Sequence, residues 1–370
     1  MSIPLSNLTL SPATPAQILE SHRRAYEEWG ISFAGGMSME QYLEREKRTK
    51  ELECARDGKM QVWVLVKRDD PDSLDFLCSC ETFKREAWVV HQTSGKGQPC
   101  TGYGIASVFT PVRNRGKGYA KHMMRLLHWV LAKREYLDQL EWPSEEWGEK
   151  PIVSRTEQEG SHGGDALFSA LWSDVGPEFY ARCGTGIREE GGWQVQDPHI
   201  LIWNVGDAHS STVSGEWEWL NEQEVHDLWK EESERMKLEL EERARESQTS
   251  ICTFLPDNGV ADFLIDRKRM GWMRMEHVPK YWGIRHSTAG LDQFATWTIE
   301  RRKDGSWVMV VTRLRGDADT VIQAIIAGFA KKHGVSAIEC WGVGDTERDD
   351  HLPCFKWYGP EHSTLCFNEK

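Results

Sequence analysis

The sequence predicts an α/β (α+β) protein of two domains, and three observations carry that prediction. The chain has 370 residues, more than one ordinary core organises, and suits two domains of roughly 100 to 200 residues each. β-prone runs alternate with amphipathic segments in both halves. One of those runs leads through a glycine turn into a one-sided helix, a strand–turn–helix order suited to holding an anion.

In chain order, Leu8 to Leu10 form a first short strand. PAQILESHRRAYEEWG follows as a helix with Pro15 near its start and Gly30 as its stop. A second helix opens on Ser38 with Gln41 three residues on, the spacing of a capping box. QVWVLVKR, LDFLCSCETFKREAWVVH and GYGIASVFT then read as three strands of an antiparallel meander. Within it Glu81 is a carboxylate flanked by apolar strand residues. Such a group has a buried partner or a part in proton transfer; His91 is a poorer candidate for the same role. Residues 138–165 lack clear periodicity and read as a functional flap or a mobile insertion, with the glycine-flanked His162 marking flexibility. ALFSALW is a strand ending at Ser173, followed by a short helix carrying Phe179 and Tyr180 and stopping at Gly184. A strand pair around WQVQ and HILIWNV closes a first domain of residues 1–205.

Residues 206–370 form the second domain. NEQEVHDLWKEESERMKLELEERARE is a charged helix with Asn221 and Glu224 as its cap, its charge run a solvated face. GVADFLIDRKRMGW is another helix. DQFATWTIERRKDGSWVMVVTRLRG turns as a hairpin at Asp304 and Gly305. A helix capped by Asp317 or Asp319 and a strand at VSAIECWGV follow. This order echoes the first domain.

The net charge of −13 argues against nucleic-acid and anionic-membrane partners and favours a cationic substrate. The start has no basic region followed by an apolar core, and apolar runs are strand length, short of the ~20 residues of a membrane span. Nine scattered cysteines read as reduced thiols of a cytoplasmic protein, and no metal-ligand spacing appears. The eighteen tryptophans belong in cores or clefts.

The stretch Val108 to Lys121, VFTPVRNRGKGYAK, carries the chemistry. Gly116 and Gly118 leave the backbone open to close approach, and the first N–H groups of the following helix point into the same space. A nucleotide P-loop is excluded because Pro111 stands where its first glycine would be and Gly118 follows Lys117. A dinucleotide GxGxxG is weak because Gly102 and Gly104 lie inside the apolar run. Instead Val108, Thr110, Arg113, Gly116 and Gly118 spell VxTxxRxxGxG, which resembles the acetyl-coenzyme A signature of the GNAT N-acetyltransferases. A second match lies downstream, where Ser173, Gly176, Tyr180 and Gly184 stand at the family's Asn, small-residue, Tyr and Gly places. Ser departs from the usual Asn, and Thr185 stands where an aromatic residue commonly follows. Within the superfamily the layout looks like the fungal lysine N6-acetyltransferases of lysine catabolism, on the pieces LSPATPAQ, SDVGPEFYARCG and FATWTIERRKDGSWVMVVTRLRG.

The resemblance implies a GNAT fold: a central mixed, mostly antiparallel sheet flanked by helices. It implies a second, degenerate GNAT-like repeat without cofactor, since RGDADT replaces RxxGxG and its carboxylates would repel phosphates. It also implies acetyl-coenzyme A as co-substrate and a small-molecule amine as acceptor, with L-lysine the first choice. Backbone groups of Arg113, Asn114, Arg115, Gly116, Lys117 and Gly118 would take the pyrophosphate. Val108 and Thr110 would pair with the pantetheine amides, and Ser173 would contact the same arm. Tyr180 would protonate the leaving thiolate and Glu81 would take the amine proton. Two rival expectations are transfer to another amine, such as a polyamine, an aminoglycoside-like compound or a protein lysine, and a non-catalytic coenzyme A-binding module.

Overall fold

The computed structural model describes residues 2–30, 37–152, 162–207, 216–247, 249–272, 275, 277–302, 304–316, 320–359 and 361–366. The first half runs β1 (Leu8–Pro12), α1 (Pro15–Ala25), α2 (Met39–Thr49), β2 (Met60–Lys67), β3 (Cys78–Val90), β4 (Gly97–Phe109) and α3 (Tyr119–Leu131). Short α4 (Arg134–Leu137) and α5 (Ser144–Trp147) lead to β5 (Ala166–Ser173), α6 (Glu178–Ala181), β6 (Gln194–Val195) and β7 (His199–Asn204). The second half runs β8 (Trp217–Leu220), α7 (Glu222–Glu246), β9 (Ser250–Phe254), α8 (Asp262–Trp272), β10 (Gly283–His286), β11 (Gly290–Arg301) and β12 (Trp307–Arg315). It ends with α9 (Thr320–Lys332), β13 (Ala337–Trp341), β14 (Thr346–Glu347), β15 (Leu352–Trp357) and β16 (Ser363–Leu365).

Local chemistry sets the helix starts. Thr14 with Gln17, Ser38 with Gln41 and Asn221 with Glu224 each close a reciprocal capping box, so two otherwise orphaned N–H groups are paired at each end. The hairpin between β11 and β12 turns where Asp304 accepts from the Ser306 backbone N–H at 2.9 Å, with Gly305 in the left-handed region at φ 88°. The expected cap of α9 at Asp317 or Asp319 lies outside the described residues.

The strands form two sheets. The first has the order β1-β2-β3-β4-β5-β15-β6, with β9 on β3 and β16 on β9; the second has the order β14-β7-β13-β12-β11-β10-β8. Pairs are antiparallel except β4 with β5, β12 with β13 and β9 with β16. In both halves an antiparallel hairpin is followed by a crossover helix, α3 or α9, and a parallel strand. The second half therefore repeats the topology of the first.

Sheet membership does not follow the chain division at residue 205. β7, expected to close the first domain, pairs instead with β13 in the second sheet, Ala337 opposite Asn204 through Trp341 opposite Ile200. Reciprocally, β15 lies beside β5, from Leu352 opposite Ser173 to Trp357 opposite Phe168. Each half thus completes its sheet with a strand from the other. The physical reason is that β5 and β13 would otherwise end their sheets as long apolar edges, and a strand from the opposite half covers each.

One core lies between the first sheet and α3, where Met123, Met124, Leu126, Leu127, Val130 and Leu131 are buried. The other joins α7, α9 and the second sheet through Leu228, Trp229, Trp297, Ile326 and Phe329. Trp63, Trp147, Trp193, Trp229 and Trp297 are among the largest fully buried side chains, as the tryptophan content suggested.

Two expectations need correction. The charge run of α7 is not wholly a solvated face: Glu232 is completely buried and accepts from Nε of Arg313 at 2.7 Å and Nε of Arg315 at 2.8 Å on β12. A carboxylate removed from water needs such paired cations. The stretch 138–165 is anchored where it is described: Trp147 is buried against α3, Trp142 meets Trp129 edge-on at 5.0 Å, and Arg68 Nη2 donates to the Trp147 carbonyl at 3.0 Å. His162 is not a marker of flexibility. It lies 2.7 Å from the Thr82 hydroxyl and 2.8 Å from the Gly58 carbonyl, and Trp63 Nε1 donates to that same hydroxyl. The Gly58 carbonyl can only accept, which fixes the proton on Nδ1 and leaves Nε2 to accept from Thr82. Burial pushes the imidazole down to about 4.

Candidate active site

β4 carries the central distortion. Its pairing with β3 slips between Ser79 opposite Phe109 and Glu81 opposite Ala106, so Ser107 and Val108 on β4 stand against the single residue Cys80 on β3. Ser107 takes a positive φ of 53°. A bulge of this kind bends its strand and re-aims side chains. The parallel pairing of β4 with β5 stops at Ile105 opposite Leu171, although β4 continues to Phe109 and β5 to Ser173. Beyond that point the two strands no longer pair, and the backbone of Val108 and Thr110 borders the opening.

After Pro111, Val112–Asn114 make a single tight turn. Asn114 is buried and its side chain donates to the Leu77 carbonyl at 3.1 Å, so it pins the loop to the end of β3. Arg113 pairs with Asp75; Arg115 donates to the Thr110 carbonyl at 3.0 Å and meets Glu28 at 2.9 Å; Lys117 is exposed. Gly116 and Gly118 have φ values of +73° and +80°, and a Cβ at either would point into open space. No side chain caps α3 at Gly118. The first N–H groups of a helix have no partner within it, so this end presents donors and a partial positive charge to solvent. These features fit a diphosphate or similar anion: an uncapped helix start, two glycines without side chains and three basic residues close by.

On the other side of the opening, Ser173 is buried and its hydroxyl is engaged in the following turn. It donates to the Gly176 carbonyl at 2.7 Å and accepts from the Val175 N–H at 3.2 Å. The turn leads into α6 and Tyr180. Gly184 stops this segment because a Cβ there would lie 1.9 Å from the Glu190 carbonyl oxygen. Tyr180 is buried, with Phe179 edge-on at 5.0 Å. Burial, followed by Cys183, Cys354, Asp174 and Cys80 nearby, holds its phenol above the ordinary value of 10.0. It is therefore a proton carrier, not a phenolate, near neutral pH.

Glu81 lies on the face of β3 that meets α1 and α2. Its Oε2 accepts from the Ser107 hydroxyl at 2.8 Å, tying the carboxylate to the β4 bulge. Its Oε1 faces His22 Nε2 of α1 at 3.6 Å. Glu46 of α2 joins them, so that one ligand atom each of His22, Glu46 and Glu81 lie within 4.8 Å of one another. Lys50, at the end of α2, interacts with both carboxylates; burial nevertheless lowers its ammonium below the ordinary 10.5. His91 is held by Glu361 at 2.6 Å near the far end of β3, well removed in sequence and strand position from Glu81.

His22, Glu46 and Ser107 escape a reading of the sequence. No spacing marks them, because they meet only when two helices pack across the sheet. Their nearest sequence signal is the pair of capping boxes that fixes where α1 and α2 begin.

Residues 203–370 match the family described as the LYC1 GNAT-like C-terminal domain. A lysine acetyltransferase of Yarrowia lipolytica is 30% identical over 112 residues, covering 30% of this chain and 26% of its own. An uncharacterized protein of Saccharomyces cerevisiae, YGR111W, is 31% identical over 113 residues, covering 25% of this chain and 28% of its own. The match thus spans about a quarter of the length of each curated relative. Among solved structures, a GCN5-related N-acetyltransferase of Anabaena variabilis aligns with a TM-score of 0.49 at 11% identity, over 95% of this chain and 73% of the other. Residues 203–370 extend the likeness beyond the two motifs of the first half, and over them the chain resembles a LYC1 GNAT-like C-terminal domain.

Proposed function

We propose that this protein transfers an acetyl group from acetyl-coenzyme A to a primary amine by direct attack, with the side-chain amine of free L-lysine as acceptor. The observation that carries the reading is the Ser107–Glu81 hydrogen bond. It joins a buried carboxylate to the same strand bulge that leads into the uncapped start of α3. The name of the Yarrowia lipolytica relative favours lysine, and the net charge of −13 suits a cationic acceptor.

In this reading the N–H groups from Arg113 to Gly118 hold the diphosphate, and Val108 and Thr110 pair with the pantetheine amides along the unpaired end of β4. A backbone N–H there polarises the thioester carbonyl. A lysine side chain has a free pKa of ~10.4 and arrives protonated, so Glu81 accepts the proton before the nitrogen attacks. As the C–N bond forms the C–S bond breaks, Tyr180 donates its proton to the departing sulfur, and the proton that the acylated nitrogen sheds restores the phenol. The second half, residues 206–370, supports the first by supplying β15 and covering its sheet.

The test is turnover. Purified chain, acetyl-coenzyme A and a panel of L-lysine, polyamines, an aminoglycoside and a lysine peptide should release thiol with L-lysine and yield a singly acetylated product by mass. Coenzyme A binding without turnover on any amine would replace this reading with that of a non-catalytic module.

A further inference from the structure

Resting on the acetyl-transfer reading, we propose that Glu46 and His22 complete, with Glu81, a seat for the acceptor's ammonium group, making them the residues that select a cationic primary amine. All three are more than nine-tenths buried, at 1%, 5% and 4% exposure. Among the described residues, Glu46 Oε2 and His22 Nε2 have no hydrogen-bond partner. Leaving such atoms unpaired in the interior is costly, so each points to a group that arrives with the substrate.

The geometry matches an ammonium. A primary ammonium carries three N–H donors, and the site offers one acceptor from each of three residues. Tetrahedral donors bonded at ~2.8 Å set neighbouring acceptors ~4.6 Å apart. The three ligand atoms here lie within 4.8 Å of one another, with His22 Nε2 and Glu81 Oε1 at 3.6 Å.

The charges favour the same occupant over a metal ion. Arg45 pairs with Glu46 Oε1, and Lys50 interacts with both carboxylates. These two cations already offset Glu46 and Glu81. A divalent ion would leave two excess positive charges in a buried place, whereas an ammonium leaves one. Lys50 is itself an ammonium at the exposed end of α2, so the pair of carboxylates already attracts this chemical group from the surface side.

The test uses the full chain. On the wild-type protein with coenzyme A bound, calorimetric titration with L-lysine and with L-norleucine, which ends in a methyl group, should give at least about tenfold weaker binding for norleucine. Equal affinities overturn the seat without any variant. Glu46→Gln should raise KM for L-lysine by about tenfold or more, with kcat and KM for acetyl-coenzyme A within about threefold and an unchanged melting temperature. A purely structural Glu46 would instead lower the melting temperature and leave KM for lysine alone. Stoichiometric Zn²⁺ or Mn²⁺ retained by the wild type after dialysis, and lost in Glu46→Gln, would assign the seat to a metal and overturn the proposal. Failure of the wild type to acetylate any amine sinks the functional reading and the seat with it. Lysine turnover with an unaltered KM in Glu46→Gln sinks the seat alone.

Discussion

Replacing Tyr180 by Phe removes one hydroxyl and leaves the ring's packing against Phe179 and within the core in place. The cost to folding should stay near ~1 kcal/mol, the scale of one hydrogen-bonding group. The effect on chemistry is larger. Loss of a general acid slows turnover by roughly 10²- to 10⁴-fold, and a thiolate leaves more readily than an alkoxide, so the lower end is expected. That is about 2.7 kcal/mol of barrier. The burial that raises the phenol also raises a thiolate released beside it, which keeps the proton transfer close to balanced. The assay is thiol release at saturating acetyl-coenzyme A and amine, with coenzyme A affinity measured separately by calorimetry and expected to be unchanged. Turnover within twofold of wild type, or normal turnover with lost affinity, refutes the general-acid role. The sign of the pH dependence gives a second check. Burial favours the neutral phenol and lifts its pKa above 10.0, so Tyr180 stays protonated through pH 6 to 9 and cannot cause a falling alkaline limb there. A limb in that range that vanishes in the Phe variant would contradict the structure.

Three further outcomes are expected. Gly116→Val should weaken acetyl-coenzyme A binding about 5- to 30-fold, because φ of +73° costs a branched residue ~1–2 kcal/mol and relaxing it moves the N–H groups of the turn; calorimetry showing unaltered affinity would exclude this turn as the diphosphate cradle. Ending the chain at residue 351 removes the buried Leu352, Cys354, Phe355 and Tyr358 from the first sheet, roughly 1.5–3 kcal/mol for each large side chain, and should abolish folding or lower the melting temperature sharply. A truncated chain melting within a few degrees of the full one would show that the exchanged strand is dispensable. His128, buried between the Tyr358 hydroxyl and the Cys183 carbonyl, is pushed down from 6.5 to about 3, chiefly by burial. Its neutral form therefore contributes stability above pH 6.5 that is lost as pH falls toward 3, on the order of 5 kcal/mol, and His128→Gln should flatten the pH dependence of urea unfolding over that window.

The cofactor side of the candidate site was legible because it is local. Val108, Thr110, Arg113, Gly116 and Gly118 lie within eleven consecutive positions of one strand, turn and helix start, and the backbone conformation of that stretch is what glycine and spacing announce. Tyr180 and Gly184 were legible for the same reason. Asn114 was read as lending its backbone to the cradle, while its side chain fastens the loop to Leu77, and Ser173 spends its hydroxyl on its own turn. Neither engagement has a signature in sequence. The acceptor side was legible only at Glu81, whose charge stands out among apolar strand neighbours.

Alternating and 3.6-residue patterns, capping pairs and turn glycines thus determined which segments are strands and helices, because each of these depends on neighbours a few residues away. Which strand lies beside which was decided in three dimensions. β7 and β15 are short apolar strands that either half could accommodate, and the unsatisfied edges of β13 and β5 selected them across the molecule. The meeting of His22, Glu46 and Glu81 was decided likewise, since the packing of α1 and α2 on β3 brings together buried polar atoms that the linear chain keeps 24 and 35 residues apart.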